Sequence, residues 1–533
     1  MVDATRAGGG AWAPLGNALF RNLWIATIVS NLGTWMQDVG AGWLMTSLSS
    51  SPSLVALVEA ADSLAVMLLA LPAGAIADIV DRRRLLLFVN VYLLVVAAAL
   101  AALTFLGLTT AWALIGFIFV LGIGAAVVMP AWAAIVPELV PPKELAPAVA
   151  LNSVGINASR AVGPAIAGVL VAAVGPWLVF ALNALSYIGV LAVLLRWRRE
   201  RRKSALPAER FVSATRVGVR FVLHARELKA VLVRSLAFFA FASATWSLFP
   251  LIVRKELERG PEIYGLLLTC IGVGAVGGAM FLPRLRERCS RDAAVAGGSV
   301  LYALAALALA YVRHVPLLCV AMLATGVAWI AILSALQVAA QTSLPPWVRA
   351  RGLAAWVVVF MGGMALGSIL WGLVATHIGI AGALTTAATG MVVAVALTWR
   401  VTLGAHEVRD FSPSMEWPAP VVAETPEPDS GPVLVTVEYH IRPGSRDAFI
   451  AAMQDVGEMR RRNGAYFWDL FHDSAHPDRF IECFMDESWI EHLRTHERVS
   501  VADRAIQQRA KAHLVENETT RTSHWLASRE DRA

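Results

Sequence analysis

The sequence predicts an all-α membrane protein of twelve transmembrane helices in two six-helix halves, followed by a smaller C-terminal α+β domain. Three observations predict this class: an apolar composition, the recurrence of apolar segments of spanning length, and an abrupt change of composition after Thr402. Of the 533 residues, 57% are hydrophobic and 16% are charged, and the mean hydropathy is +0.62. Soluble domains are roughly half apolar and about a quarter charged, so a soluble globular protein is excluded.

Apolar segments long enough to cross a bilayer, which takes about 20 helical residues, recur from Asn22 to Thr402. The predicted spans are residues 22–46, 52–76, 84–107, 111–136, 147–174, 176–196, 230–253, 261–283, 292–312, 316–343, 351–376 and 380–402. The predicted domains are a six-helix half (1–196), a basic and amphipathic linker (197–229), a second half (230–402), a Pro- and acid-rich linker (403–432) and an α+β domain (433–533). The amphipathic stripe of the first linker is Phe211, Val217, Phe221 and Leu228.

Basic residues are concentrated in alternate loops, among them the arginines at 82–84 and the run that begins at Arg196. Because Lys and Arg resist translocation, these loops and both termini are expected to be cytoplasmic. The same arginines account for the net charge of +6, so nucleic-acid binding is not expected. The first twenty residues lack a signal-peptide pattern, so the first span is expected to direct insertion. The expected location is the cell inner (plasma) membrane, which the chain crosses several times.

The two halves contain one unit twice. The segments VPPKELAPAVALN from Val140 and LPPWVRARGLAAW from Leu344 are 204 residues apart. The same offset relates three pairs of glycines: Gly163 to Gly367, Gly168 to Gly372 and Gly175 to Gly379. Repeated halves place a substrate path at their interface near the midplane and allow one half to rock against the other.

The loop between spans two and three reads GAIADIVDRRR from Gly74 and gathers two acids and three arginines in one turn. A carboxylate at a helix end accepts hydrogen bonds and pairs with arginine, whereas the arginines alone serve as topology anchors. The stretch resembles the loop signature of the major facilitator superfamily, and it departs from that signature at Ile79 and Asp81. The resemblance implies the major facilitator fold and a cytoplasmic latch that favours the outward-open state. The expected gating residues are Gly74, Asp78, Asp81, Arg82 and Arg83. Asp81 either pairs with Arg82 or Arg83 or caps the next helix.

Span five contains RAVGPAIAGVL, in which Gly163, Pro164 and Gly168 resemble a motif of superfamily exporters. Glycine and proline weaken the helix and remove side-chain bulk, so they permit a bend and close helix contact. A plain packing face is the alternative. The resemblance implies export.

Four ionisable residues lie within predicted spans: Asp38, Glu59, Asp62 and Arg160. Such groups are costly in a bilayer unless they are paired or face water, so they are candidates for function. Two interpretations remain open. Either the carboxylates bind and release protons and drive antiport, or Asp38 or Glu59 neutralises Arg160 in a fixed pair.

Two further stretches, NLGTWMQDVGAGWLMTSLSSSP from Asn31 and LALPAGAIAD from Leu69, resemble the enterobactin exporter group of the superfamily. This resemblance implies export of an amphiphilic, siderophore-like or drug-like molecule, with protons and the lipid bilayer as further partners. Candidate cavity residues are the polar Gln37, Asn152, Asn157, Asn183 and Gln337 and the aromatic Trp35, Trp43, Trp246 and Trp356. No cofactor is expected, since no phosphate-cradling glycine loop occurs.

The C-terminal domain is predicted to have the order βαββαβ. Apolar residues alternate from Val433 to Ile441, a helix carries Phe449 on its apolar face, two strands and a helical stretch from Ser488 to Leu514 follow, and a last strand lies near Thr519. The pattern resembles the ferredoxin-like modules of small antibiotic-biosynthesis monooxygenases, which implies dimerisation through this domain.

Chemistry in this domain is expected to be sparse. His492 and His496 are one helical turn apart, but no third metal ligand is evident, which favours a solvated helix face. His440, Tyr466, Trp468 and His472 are candidates for lining a small pocket. No nucleophile and base arrangement stands out, so the protein is not expected to be an enzyme. The alternative is a membrane-tethered enzyme that oxidises a small molecule and exports the product through its spans.

Overall fold

The computed structural model describes residues 10–197, 216, 220–404, 411–412, 414, 422, 426–427, 429–515 and 520–528. The chain forms two compact units. The first, here called the helical unit, comprises Met1–Ala205, Ala230–Ala339 and Ala354–Leu403. The second, here called the mixed unit, comprises Leu206–Lys229, Ala340–Leu353 and Gly404–Ala533.

Long apolar helices dominate the first part of the chain. They are α1 (Ala18–Leu48), α2 (Pro52–Ile79), α3 (Arg82–Phe105), α4 (Ala111–Leu139), α5 (Leu145–Ala173), α6 (Pro176–Arg196), α7 (Arg226–Leu251), α8 (Pro261–Arg288), α9 (Arg291–Tyr311), α10 (Val315–Thr342) and α11 (Arg349–Leu397). In the part of the chain that the structure describes, ten helices, α2 to α11, are long and apolar enough to cross a membrane. The 31-residue α1 has the length of a span but is not among these ten.

The remaining difference from the twelve predicted spans lies in α11, which is 49 residues long. Gly379 is not helical (φ 78°, ψ 168°) and divides this helix into arms at 349–378 and 380–397. Its partner in the sequence repeat, Gly175, also has a left-handed φ of 106° and separates α5 from α6. A side chain is strained at such angles, so both repeats use glycine where one helix turns into the next.

The mixed unit contains a four-stranded antiparallel sheet. Its elements are β1 (Val433–His440), α12 (Arg446–Asn463), β2 (Phe467–His472), β3 (Arg479–Asp486), α13 (Trp489–Arg498), α14 (Val501–Lys511) and β4 (Arg521–Leu526). The strands lie in the order β2-β3-β1-β4. The alternation predicted for β1 is confirmed, because its inward residues are buried together with Phe449 of α12.

The prediction of one helical stretch from Ser488 to Leu514 was wrong, because the structure has two helices there, α13 and α14. Ser500 lies between them in an extended conformation and forms a capping box with Asp503. This arrangement satisfies orphan amides of the second helix and fixes the break. Of the amphipathic stripe predicted in the first linker, Phe211 and Val217 lie outside the described residues. Phe221 and Leu228 are buried.

Candidate functional site

A cavity of about 270 Å³ lies inside the helical unit. Helices from both sequence halves form its wall, and all four of the predicted intramembrane ionisable residues line it. They are Asp38 on α1, Glu59 and Asp62 on α2, and Arg160 on α5. The folding of three helices therefore brings these charges to one place, although their roles remain predictions.

The carboxylates of the cavity lack ionic partners in the part of the chain that the structure describes. Among those residues, Asp38, Glu59 and Asp62 form no ion pair or hydrogen bond, and Asp38 and Asp62 are exposed to the space that they line. An acidic side chain at the centre of a membrane helix costs about 2.5–3.5 kcal/mol on insertion scales. That cost is lowered where the group faces water, so the cavity is the reason these residues are tolerated.

Arg160 contacts an aromatic ring instead of an acid. Its guanidinium carbon lies 5.3 Å from the centre of the Trp35 ring, in cation–π geometry. Its Nε is buried and has no hydrogen-bond partner among the described residues. Within that same set, no ion pair joins Arg160 to Asp38 or Glu59. One N–H donor of Arg160 is thus left without a hydrogen-bond partner among the described residues.

The aromatic and apolar wall comes largely from the second half, which the sequence did not single out. Residues of α8, α10 and α11 line the cavity: Tyr264, Leu268, Ile271, Ala275, Trp329, Phe360, Met361 and Met364. Of the predicted tryptophans, Trp35 and Trp246 line it, whereas the buried indole of Trp356 donates to Ser235. The five predicted polar residues lie outside the lining, and Asn183 donates to Gln37 in a buried pair.

Glycines allow the two halves to touch closely at one end of the helices. At the start of α8, Gly265 meets Gly168 of α5 so closely that a Cβ on Gly265 would lie 2.9 Å from the Gly168 Cα. At the repeat-related position, a Cβ on Gly372 of α11 would lie 3.1 Å from the Cα of Ser53 at the start of α2. Gly163, by contrast, packs against Trp35 within the first half. Gly168 therefore belongs to the interface between the halves.

Polar contacts strengthen the same end. Arg254 donates to the hydroxyls of Thr46 and Ser47, and Lys255 donates to the carbonyl of Ser50 at 2.7 Å. The hydroxyls of Ser53 and Thr376 are 2.8 Å apart. By the distribution of positive charge, this end of the helices is the one expected to face outward. The described contacts thus join the two halves at that end.

The residues of the predicted gating motif lie at the other end of α2. The side chain of Asp78 is outside the described part of the chain, and Gly74 is within the helix. Asp81 accepts from the amide of Arg84 at 3.0 Å, so it caps α3. Arg82 pairs with Glu138 of α4 at 2.8 Å. Arg83 donates to the carbonyls of Leu194 and Leu195 at the end of α6.

The core of the mixed unit carries a charged cluster that the sequence did not reveal. Glu482 of β3 is fully buried and accepts from Arg460 (2.8 Å), Tyr439 (2.8 Å) and Trp468 (2.9 Å). Burial alone would raise the pKa of Glu482, but the charge of Arg460 and these hydrogen bonds hold the pKa below its ordinary value. The cluster fixes β3 to α12, β1 and β2.

The small pocket predicted in this domain is only partly formed by the residues expected. His440 and His472 line an open cavity of about 560 Å³ beside β1 and β3. Tyr466 and Trp468 do not line it. The indole of Trp468 is engaged by Glu482, and the ring of Tyr466 lies 5.8 Å from the guanidinium carbon of Arg220. The four residues predicted to line one pocket therefore lie in three separate places.

A bundle of spanning helices around a cavity shared by two repeated halves defines a membrane transporter of the major facilitator type. The family model MFS_3, "Transmembrane secretion effector", matches residues 9–532, and the chain belongs to this family. The predictions of a multi-pass membrane transporter of this superfamily are confirmed. The family and the relatives are transporters, which agrees with a protein that is not an enzyme.

Two relatives are similar to parts of the chain. The "Staphyloferrin A transporter" of Staphylococcus aureus (strain NCTC 8325 / PS 47) is 29% identical over 257 residues, which is 48% of this chain and 64% of the relative. The "Uncharacterized MFS-type transporter YfiS" of Bacillus subtilis (strain 168) is 25% identical over 279 residues, 50% of this chain and 66% of the relative. The match thus spans just under two thirds of each relative.

Solved structures show the same fold. A bacterial homologue of the human lysosomal transporter Spinster, in an inward-facing and occupied conformation, has a TM-score of 0.56 at 15% identity and covers 73% of this chain and 97% of its own. The nucleoside transporter NupG has a TM-score of 0.57 at 13% identity and covers 72% of this chain and 98% of its own.

Proposed function

We propose that this protein is a secondary active exporter of an amphiphilic small molecule, driven by proton antiport through alternating access. The observation that carries the proposal is the cavity shared by the two halves, with an aromatic wall, one arginine and three carboxylates that are unpaired among the described residues. The proposal includes twelve spans, counting α1 and the two arms of α11, with both termini cytoplasmic in the plasma membrane.

The proton-carrying groups are Asp38, Glu59 and Asp62. Glu59 and Asp62 are three residues apart on α2 and therefore share one helical face. Two ionised carboxylates so close together repel each other. Binding of a proton by one of them removes a negative charge and relieves this repulsion. When the cavity faces the other side, release of that proton restores the charge. The cost of burying unpaired charge thus makes protonation a condition of the conformational change.

The substrate is a siderophore-like or drug-like molecule with both apolar and anionic parts. The rings of Trp35, Trp246, Tyr264 and Trp329 and the methionines of α11 offer apolar contact. Arg160 offers a cation whose Nε is unused within the described residues. The similarity to a protein named for staphyloferrin A supports a siderophore within this class, as does the resemblance to the enterobactin exporter group.

The gating residues Gly74, Asp78, Asp81, Arg82 and Arg83 are proposed to hold the cytoplasmic ends of the first half as a unit. The pairing of Arg82 with Glu138 and the bonds from Arg83 to α6 support this role, since they tie the start of α3 to α4 and α6. The bending residues Gly163, Pro164 and Gly168 are proposed to set how closely α5 approaches its neighbours.

The C-terminal domain is proposed to be ferredoxin-like and to sense a ligand or pair with a second copy. The element order βαββα(α)β and the strand order β2-β3-β1-β4 support the fold assignment. Along β1 and β3, the residues on one face of the sheet are buried and most of those on the other are only partly buried, so the second face is proposed to meet the sheet of a second copy.

The experiment first identifies a substrate and then measures coupling. An overexpressing strain is screened against catecholate, hydroxamate and carboxylate siderophores and a drug panel. The compound that it exports is loaded into proteoliposomes that report internal pH. Proton movement coupled to efflux is expected for wild type and for Glu144→Gln, whose residue lies outside the cavity lining.

The variants Asp38→Asn, Glu59→Gln and Asp62→Asn test the carriers. At least one is expected to retain binding and downhill transport while losing coupled proton movement. Intact coupling in all three single variants and in the triple variant rejects the carrier role. Concentrative uptake into wild-type cells would instead establish import.

A further inference from the structure

Three histidines from two elements of the mixed unit converge at one point. His492 and His496 lie on α13, and His524 lies on β4. One ring nitrogen of each can be chosen so that all three lie within 4.8 Å of one another. The Nε2 atoms of His492 and His496 are 3.1 Å apart. The prediction of a solvated face for the two helical histidines was therefore wrong, because His492 is fully buried and His496 is partly buried.

A buried carboxylate sets the orientation of the first ring. Asp486, at the end of β3, is 1% exposed, and its Oδ2 lies 2.9 Å from Nδ1 of His492. When Nδ1 donates its proton to this acceptor, the Nε2 lone pair of His492 points toward the other two rings. Carboxylate, histidine and metal are arranged in this way in many protein metal sites. The second oxygen of Asp486 is buried without a hydrogen-bond partner among the described residues, so its charge is incompletely balanced.

The spacing suits a small transition-metal ion. Nitrogens that bind Zn²⁺ at about 2.0–2.1 Å in a tetrahedron are about 3.4 Å apart. The Nε2 atoms of His492 and His496, 3.1 Å apart, are within about 0.3 Å of that spacing. The ring nitrogen of His524 reaches it with a movement of about 1.5 Å or less. The Trp489 ring, 5.6 Å from that of His492 and 6.4 Å from that of His524, packs beside both.

The charges around the rings are compatible with a bound cation. Asp486 places a buried carboxylate beside His492. The positive charge of Arg460, which acts on His496, is neutralised by Glu482 through two hydrogen bonds.

We propose that His492, His496 and His524 form a binding site for one divalent transition-metal ion, with Zn²⁺ as the best match, and that Asp486 positions His492 as a ligand. Imidazole ligands suit late first-row ions, and three of them leave a fourth position for water or a ligand. The ion joins α13 to β4 and so fixes the last strand of the sheet. The proposal goes beyond transport and stands whether or not the carboxylates of the membrane cavity carry protons.

The test uses the full chain in detergent, freed of metal with a chelator. Titration with Co²⁺ is expected to produce visible absorption at one equivalent, and Zn²⁺ is expected to abolish it. Loading with Zn²⁺ and X-ray absorption should give a first shell with three imidazoles. This last readout needs no variant and is independent of any effect of mutation on folding.

Variants then assign the ligands. His496→Gln and His524→Gln, at partly exposed positions, should each weaken Zn²⁺ binding by at least about tenfold, and Asp486→Asn by about 10–100-fold. His472→Gln is the matched control on β2 and should bind like wild type. Less than half an equivalent bound by wild type, a first shell with fewer than two imidazoles, or equal affinity in the ligand and control variants would each overturn the site.

Discussion

The substitution Gly265→Ala tests whether the contact between α5 and α8 belongs to one state of a transport cycle. A methyl group at this position would lie 2.9 Å from the Gly168 Cα and 3.1 Å from the Gly168 amide, and closest of all to the carbonyl oxygen of Pro164. All three obstacles are backbone atoms, which cannot rotate away. The helices must therefore separate for the methyl group to fit.

The expected cost follows from the tightness of the contact. Adding one carbon to a close-packed interface costs about 1–3 kcal/mol. In alternating access, the cost falls mainly on the state in which the outer ends of the helices touch. Since 1.4 kcal/mol is a tenfold change in an equilibrium, the population of the state with separated outer ends should rise by about 5- to 150-fold relative to the closed one.

Spin labels at Ser50 and Arg259, in a chain whose four cysteines are replaced, report the separation of the outer ends by electron–electron resonance. Gly265→Ala should add a longer distance to the distribution. The matched control is Gly277→Ala on the same helix, where nothing lies within 4 Å of the added carbon. A folded Gly265→Ala chain with the wild-type distance distribution would refute the state-dependent contact.

Three further predictions concern stability. Glu482→Gln should destabilise the sheet by about 3–5 kcal/mol, because it leaves the charge of Arg460 buried without its counterion. Hydrogen exchange of the β1 and β3 amides in the full chain measures the loss. The double variant Arg460→Met with Glu482→Leu should restore protection. In the folded state the pKa of Glu482 is below its ordinary value of 4.5, so its contribution to stability is complete above about pH 4.5 and is lost as the pH falls through the lowered pKa. Protection of the sheet amides should therefore be more acid-sensitive in wild type than in Glu482→Gln. Equal acid sensitivity in the two would contradict the assignment. Ser500→Ala should lower the stability of α14 by about 1 kcal/mol. Hydrogen exchange should become faster at the Asp503 amide, in the first turn of α14, and not in later turns. Unchanged protection of that amide would contradict the cap.

The sequence predicted the positions of the helices better than it predicted which residues contact each other. The predicted sixth span, residues 176–196, coincides with α6, since a proline starts it and an arginine ends it. The length of an apolar segment, the charges at its ends and the position of a proline are local features, so they can be read without knowledge of the fold. The break at Ser500 was also readable, because Ser-x-x-Asp is a capping signal.

Residues that meet only through tertiary structure were missed. Tyr264, Trp329 and Phe360 are ordinary apolar residues of spans, and no periodicity distinguishes a cavity wall from a packing face. His524 is 28 residues beyond His496, and it joins the cluster only because β4 pairs with β1. Likewise, the partner of Arg460 is on a strand whose register the sequence does not state.

The composition of the mixed unit means that the C-terminal domain is not a detachable appendage. The unit includes Leu206–Lys229, which joins the two halves, and Ala340–Leu353, which joins α10 to α11, so the chain enters or leaves it five times. Within it, Arg220 pairs with Glu487 at 2.6 Å, and Arg498 lies over the ring of Trp347. A truncation before β1 would remove Glu487 and Arg498 and strip two connections of their packing.

Mechanically, the unit is an anchor common to both connections, through which a force on one reaches the other. Any motion that separates those connections must deform this unit or break contacts such as the ion pair of Arg220 with Glu487 and the contact of Arg498 with Trp347. The unit therefore resists such motion, and substitutions that remove single charges, beginning with Glu487→Gln, should weaken that resistance.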